Sequence, residues 1–244
     1  MITIILGMHR SGTSTVAGVL HLNKIIMGTY QNFWPRPLTQ NPKGFYENYD
    51  FRKINDELLN KAGYDVKTYE PQIPYSELTD RMYTKMKKLV RTCHDQYPDW
   101  GWKDPRTCLT VDQWASVIRD LNLQNDLKII FVTRKAISVA RSLKNRNELP
   151  LKQGMDLWKT YTERALEFCQ DTTLPTFYCS FEGLLNDPVS ICNSLFDFLD
   201  RPLNPSIVDQ FIDRGISTSG SGEELDYPGP IVELETKINS LLRD

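Results

Sequence analysis

The stretch HRSGTS, His9 to Ser14, sets a cation, three hydroxyl side chains and Gly12 between an apolar run and the start of a helical pattern. These residue types together suit the holding of an anion. The amides that open a helix have no partner within it, and they carry the positive end of its dipole. Gly12 lets the backbone close around a bound group. An ordinary strand-to-helix turn with a serine cap explains one hydroxyl, but not Arg10, Ser11, Thr13 and Ser14 together. Gly7 and Gly12 have the spacing of the nucleotide loop G-x-x-x-x-G-K-[ST], yet Thr13 stands in the lysine's place and the charge falls earlier, at Arg10. A second anion-holding position closes the run LKIIFVT, residues 127–133. Kinases and ATPases use a carboxylate at such a strand end to hold magnesium, whereas this strand ends in Arg134. A cation there repels a metal and attracts another anion, so both strand ends suit phosphate oxygens with no metal between them.

The elements that must position these groups follow from periodicity. Ile2, Ile4, Ile5 and Leu6 read as a short buried strand, and Val16, Ala17, Val19 and Leu20 as the buried stripe of a helix. Residues 23–49, rich in Pro, Asn, Gly and aromatics, predict a long irregular segment of the kind that serves as an acceptor lid. Helices are predicted over 50–62, 76–95, 108–122 and Lys135 to Arg146, with a short strand from Tyr97 to Lys103. Met155, Trp158, Tyr161, Ala165 and Phe168 form a further helical stripe, LPTFYCS (174–180) is a third clear strand, and Asp187-Pro188 starts a helix reaching Leu199. Residues 215–230, rich in Gly, Ser and acids, predict a mobile loop before a last helix from Ile231 to Leu242. Alternating strands and helices imply an α/β protein: a three-layer, P-loop-like fold with a central parallel sheet flanked by helices, as one domain over 1–244. Ligands bind at the carboxyl ends of such strands, where Gly7, Lys103 and Arg134 fall.

With these motifs in order, the sequence resembles the sulfotransferases that use 3′-phosphoadenosine 5′-phosphosulfate (PAPS). Arg10-Ser11-Gly12-Thr13-Ser14 matches that family's phosphosulfate loop, and Arg134 with Ser142, in TRKAISVARS, matches its 3′-phosphate site. GFYEN (44–48) and WKDPRT (102–107) are similar to markers of its bacterial carbohydrate-type branch, and the likeness spans roughly residues 1–200. Two departures stand out: Arg10 replaces the lysine of the cytosolic branch, and Thr15 replaces the tryptophan that stacks on adenine there. The resemblance implies transfer of a sulfuryl group from PAPS to a hydroxyl, without a metal, on a carbohydrate or small-molecule acceptor. It implies Glu47 as the base that takes the acceptor proton, with Asp104 as the rival. Lys103, Arg10 and the loop amides would stabilise charge on the leaving 5′-phosphate. Arg10 holds its proton above about pH 12, which leaves Lys103 as the proton donor. Phe181 aligns with an aromatic near adenine in relatives and equally suits the core. Phe33, Trp34, Phe45 and Tyr46 suit either sugar stacking or packing of the lid.

Two other readings remain open at this level. One is a magnesium-dependent small-molecule kinase with a degenerate P-loop, for which Asp104 would hold the metal; the other is a nucleotide-binding protein without turnover. Composition bounds all three. A chain of 244 residues with 40% hydrophobic content buries one sizeable core, and a formal net charge of −2 argues against broad nucleic-acid or membrane-surface binding. No stretch reaches the length of a membrane span, and an apolar strand beginning at Met1 leaves no room for a signal peptide, so a cytoplasmic protein is expected. The five cysteines are scattered, without metal-ligand spacing, and read as reduced buried thiols. His9, His21 and His94 form no metal motif either.

Overall fold

The computed structural model describes residues 1–38, 41–212 and 228–242. Four parallel strands form the central sheet: β1 (Ile2–Leu6), β2 (Trp100–Lys103), β3 (Leu127–Thr133) and β4 (Thr176–Ser180), in the order β2-β1-β3-β4. Ile5 pairs with Lys103 on one side of β1 and with Ile130 on the other, so the first strand is central. The chain leaves β1 toward β2 and later returns to its opposite side at β3. That reversal opens a crevice at the carboxyl ends of β1 and β3.

Both faces of the sheet are buried, which explains the near-continuous apolar strands. Alternate residues Ile2, Ile4 and Leu6, with Ile129 and Phe131, enter one hydrophobic layer, while Ile5, Ile130, Val132 and Phe177 enter the other. The first layer is covered by α2 (Tyr49–Lys61), α3 (Asp80–Gln96), α4 (Thr107–Asp120), α5 (Ala136–Asn147), α6 (Leu151–Asp171) and α10 (Gly229–Asn239). The second is covered by α1 (Thr13–Leu22), α7 (Phe181–Asn186), α8 (Pro188–Leu199) and α9 (Pro205–Phe211). This is the three-layer α/β arrangement expected from the sequence.

The predicted elements are present with shifted ends. The third helix begins at Asp80 rather than 76, because Ser76 is drawn to α4, where its carbonyl accepts from Gln113 Nε2 at 2.6 Å. The second strand begins at Trp100 rather than Tyr97, past Pro98, which has no amide to give a neighbour. Among its described residues the segment between α1 and α2 has no helix and only isolated bridges, Ile26 to Trp100 and Phe33 to Asn48 among them. Most of the expected loop at 215–230 lies outside the described residues. None of the five cysteines is in a disulfide among the described residues, and four of them are buried. No helix among the described residues is long and apolar enough to cross a membrane.

One aromatic cluster fixes the side of the sheet on which chemistry is placed. Phe51 of α2 stacks on Trp102 of β2 with ring centroids 4.4 Å apart, and Trp114 of α4 lies 5.0 Å from Phe51. Burying a side chain of this size stabilises by about 1.5–3 kcal/mol, so the start of α2, and the residues just before it, are tied to the end of β2.

Candidate active site

The loop after β1 turns tightly because it is squeezed between β3 and α7. A side chain at Gly7 would meet the Val132 carbonyl oxygen at 2.4 Å, and one at Gly12 would meet Phe181 Cδ2 at 2.2 Å. Arg10 and Gly12 both take left-handed backbone, at φ 70° and 87°. Gly7 N donates to Cys108 Sγ at 3.1 Å, anchoring the loop to α4. The helix that follows has no side-chain cap and no acid in its first turn. Its opening amides therefore present donors and positive potential to whatever lies above them.

Arg10 points toward α5. Its Nε donates to Ser142 Oγ at 2.8 Å, and its own carbonyl accepts from Arg134 Nη1 at 3.1 Å. The Arg134 guanidinium lies 4.8 Å from the centre of the Phe181 ring, and its carbonyl is held by Trp158 Nε1 at 3.0 Å. Burial lowers the Arg10 pKa from its ordinary value, and the positive fields of Arg146 and Arg134 lower it further. Burial lowers that of Arg134 as well, against an opposing pull from Glu182. Cations gathered so closely repel one another, and an anion between them relieves the repulsion. Arg146, one helical turn beyond Ser142, is a member that the sequence reading missed; its spacing of four from Ser142 was the available signal.

A second group forms around the last residue of β2. Lys103 is 1% exposed, yet its Nζ reaches the same cleft, donating to Glu47 Oε1 at 2.8 Å and to Ser14 Oγ at 3.1 Å. One ammonium thus ties the strand, the segment before α2 and the first turn of α1. Glu47 is delivered from that segment by its own contacts: its carbonyl accepts from Trp34 N at 2.9 Å, and Asn48 caps α2 by accepting from Asp50 N at 3.0 Å. Between the two groups lies a cleft of about 330 Å³, whose lining includes Gly12, Thr13, Ser14, Glu47, Lys103 and Phe181. Ser11 and Ser142 are buried and do not line it. Arg10 and Lys103, expected to share one oxygen, lie in different groups.

Asp104 is elsewhere. It is wholly buried and absent from the cleft lining, and it accepts from Asn55 Nδ2 at 2.8 Å, Arg106 Nη1 at 2.8 Å and Arg106 N at 3.2 Å. Burial pushes its carboxyl up, but the Arg106 charge and the hydrogen bonds from Asn55 and Arg106 outweigh this and hold it below the ordinary carboxylate value. Arg106 Nε also lies 2.6 Å from Asp56 Oδ1, outside hydrogen-bond alignment, so that contact is chiefly one of charge. Neither a substrate proton nor a metal finds a free oxygen on Asp104 in this arrangement. Among the described residues, no group of three or more His, Cys, Asp or Glu gathers as metal ligands.

His9 lines the cleft and is half-buried, with its Nε2 atom buried and unpartnered among the described residues and the ring edge-on to Tyr161 at 5.7 Å. Burial, then the charges of Arg106, Lys103 and Arg146, push its pKa down to about 3, with Asp104 opposing. The unfolded imidazole takes a proton below pH 6.5 that the folded one refuses until about pH 3, so stability is complete above 6.5 and falls on acidification. Between pH 7 and pH 5 this group should cost the fold about 2 kcal/mol. Urea melts of wild type and His9→Gln should diverge in their pH slope over that range; parallel slopes would show that the imidazole titrates normally.

A parallel sheet with an uncapped helix start and an arginine-closed strand at its reversal point defines a P-loop-like α/β protein with cations gathered at the carboxyl ends of its strands. The model of the sulfotransferase family matches residues 3–205, and the chain belongs to that family. Among curated proteins none matches the chain. Of solved structures, the sulfotransferase domain from the Synechococcus PCC 7002 olefin synthase aligns over 98% of this chain and 94% of that one, at 15% identity and a TM-score of 0.57. The sulfotransferase domain from the curacin biosynthetic pathway aligns over 98% and 97%, at 18% identity and a TM-score of 0.53. Sulfotransferase STF9 from Mycobacterium avium covers 86% of this chain and 66% of its own, at 14% identity and 0.53. Likeness at these identities is likeness of fold, and it extends across the full sheet.

Proposed function

We propose that the protein transfers a sulfuryl group from PAPS to the hydroxyl of a carbohydrate or small-molecule acceptor, as one domain with residues 23–49 serving as the lid. The observation that carries this reading is the buried Lys103–Glu47 pair, joined to Ser14 at the start of α1 and sharing one cleft with the arginines of β3 and α5. An acid–base pair beside an anion cradle is what a group transfer to a hydroxyl requires. The donor set also fits the nucleotide: uncapped amides and Lys103 suit the phosphosulfate, and Arg10 and Arg134 suit the 3′-phosphate, with Ser142 holding the Arg10 guanidinium behind them. The magnesium-kinase alternative loses support, because Asp104 is already engaged by Asn55 and Arg106.

When bound, PAPS supplies the sulfuryl group, and negative charge builds on its 5′-phosphate as the group departs. Lys103 stabilises that charge from Nζ and donates a proton there, assisted by the α1 amides of Thr13 and Ser14. Glu47 accepts the proton of the acceptor hydroxyl at a carboxylate oxygen. Its contact with Lys103 holds both side chains in place before the acceptor enters. Arg10 contributes through its left-handed backbone, which shapes the loop, and through a guanidinium turned to the 3′-phosphate side, away from the leaving oxygen expected from the sequence.

Nucleotide selectivity tests the reading. Arg134→Ala should weaken 3′,5′-adenosine bisphosphate by roughly 1.5–3 kcal/mol, about 10- to 150-fold, while leaving 5′-AMP nearly unaffected. Calorimetry with chelator present should give the same result as with magnesium. Equal losses for both nucleotides would remove Arg134 from the 3′-phosphate, and strict magnesium dependence would turn the reading toward a kinase.

A further inference from the structure

The cleft carries more positive charge than the nucleotide site uses. Among the described residues seven lysine and arginine side chains line it against a single carboxylate, Glu47, in a chain of formal net charge −2. Five have evident engagements: Lys103 with Glu47, Arg106 with Asp104 and Asp56, and Arg10, Arg134 and Arg146 within the arginine group. Arg52 and Lys67 remain.

Both line the cleft outside the contacts that join Arg10, Arg134 and Ser142. The arginine group lies over β3 and β4, whereas Arg52 is near the start of α2, five residues beyond Glu47 and beside β2 at the opposite edge of the sheet. Its contact with Asp56 is long, 3.9 Å, and that carboxylate lies closer to Arg106, at 2.6 Å. Lys67 comes from the short 3-10 turn Val66–Thr68 and has no ion pair among the described residues. The turn is held across the cleft against the end of α5, where Asn147 Nδ2 donates to Tyr69 Oη at 3.0 Å.

The charge of this end is one-sided. Arginine and lysine only donate and carry a full positive charge, which the hydroxyls of a neutral polyol leave unmatched. Among the described residues no carboxylate beyond Glu47 lines the cleft, the amides of Asn41 and Asn147 are neutral, and Glu47 is required for the reacting hydroxyl. Donor-only cations match an oxyanion, with charge-assisted bonds and long-range attraction on approach.

We infer that the acceptor is itself an anion, a hydroxyl compound bearing a phosphate or carboxylate that Arg52 and Lys67 hold while the hydroxyl reaches Glu47. This rests on the sulfuryl-transfer reading and narrows its acceptor.

The probes are matched compounds: glucose, glucuronate and glucose 6-phosphate, each titrated by calorimetry into enzyme saturated with 3′,5′-adenosine bisphosphate, so that no anion can settle in the nucleotide site. The anionic sugars should bind at least tenfold more tightly than glucose, and the advantage should shrink severalfold between low salt and 0.5 M salt. In Arg52→Gln/Lys67→Gln it should fall to within about twofold of unity, with bisphosphate affinity kept. The phosphate and carboxylate arms decide which oxyanion is preferred. A labelled-sulfate screen of paired neutral and anionic hydroxyl compounds adds turnover, where the anionic member of each pair should have the higher kcat/KM. Equal binding of glucose and its anions, or an advantage that survives the double variant, would overturn the inference and leave the sulfotransferase reading standing. Loss of bisphosphate binding in the double variant would assign Arg52 and Lys67 to the nucleotide and overturn it too. Failure of the wild-type enzyme to bind the bisphosphate would instead strike the sulfuryl-transfer reading itself.

Discussion

Glu47→Gln should lower turnover by about 10²–10⁴-fold while leaving nucleotide affinity close to wild type. The substitution keeps the size of the side chain and an oxygen that can accept from Lys103 Nζ, the contact that spans 2.8 Å in the native protein. What it removes is proton acceptance. Stability should fall, because Lys103 is left as a buried ammonium without its anion, although the segment that carries residue 47 keeps its own contacts: Trp34 N to the Glu47 carbonyl, the Asn48 cap, and Phe51 stacked on Trp102. Lys103→Met is the complementary change. It strands Glu47 as a buried carboxylate without its cation, so it should depress turnover and lower thermal stability together. The readouts are single-turnover transfer of labelled sulfate and a thermal melt for each variant. Near-normal turnover in Glu47→Gln would reject the carboxylate as base.

The parts of the site that are legible in sequence are those whose chemistry is local. The loop, Arg134 and Lys103 each follow a short apolar run directly, so a strand end could be read beside the group it carries. The sheet was legible for the same reason: a strand buried on both faces is apolar at nearly every position, as ITIIL and LKIIFVT are. Short helices were less so. Asn204-Pro205 starts α9 with the cap-and-proline pattern that marked Asp187-Pro188, and α7 is capped by Ser180 accepting from Gly183 N at 2.8 Å. Both signals were present in elements too short to show a stripe.

Contacts between distant residues were not legible. The direction of the Arg10 guanidinium is decided by Ser142, 132 residues away, and the meeting of Glu47 with Lys103 spans 56 residues. No spacing rule reports such encounters; Glu47 entered through resemblance to a family. The ambiguity between Glu47 and Asp104 had the same origin. Asp104 beside Lys103 looks like a site residue until Asn55, 49 residues earlier, is seen to hold it.

Asp104→Asn should therefore unsettle the fold, costing about 3–5 kcal/mol, a large part of the stability of an ordinary domain. The Arg106 guanidinium would lose its fully buried counter-charge and keep the weaker field of Glu47 and Asp56, whose carboxyl burial pushes up against the pull of Arg106 and Arg52. The damage should spread, because Asn55 donates to both Asp104 and Thr107 Oγ1 and accepts from Thr110 Oγ1 and Trp114 Nε1, each within 3.1 Å. This network fastens α2 to α4 behind the cleft. The native carboxyl has a pKa held below its ordinary value of 3.8, so its contribution is complete above that pH and is lost only as acidification passes the folded pKa. At neutral pH the variant should lose the whole of it at once. With roughly 2–4 °C per kcal/mol for a chain of this size, the melting temperature should drop by about 6–20 °C. The double replacement Asp104→Leu/Arg106→Met removes both charges, so it should be less destabilising than Asp104→Asn alone. Turnover of Asp104→Asn, measured well below its melt, should stay within about tenfold of wild type. A stable Asp104→Asn protein with turnover reduced a hundredfold or more would move the base from Glu47 to Asp104, against the geometry of the cleft.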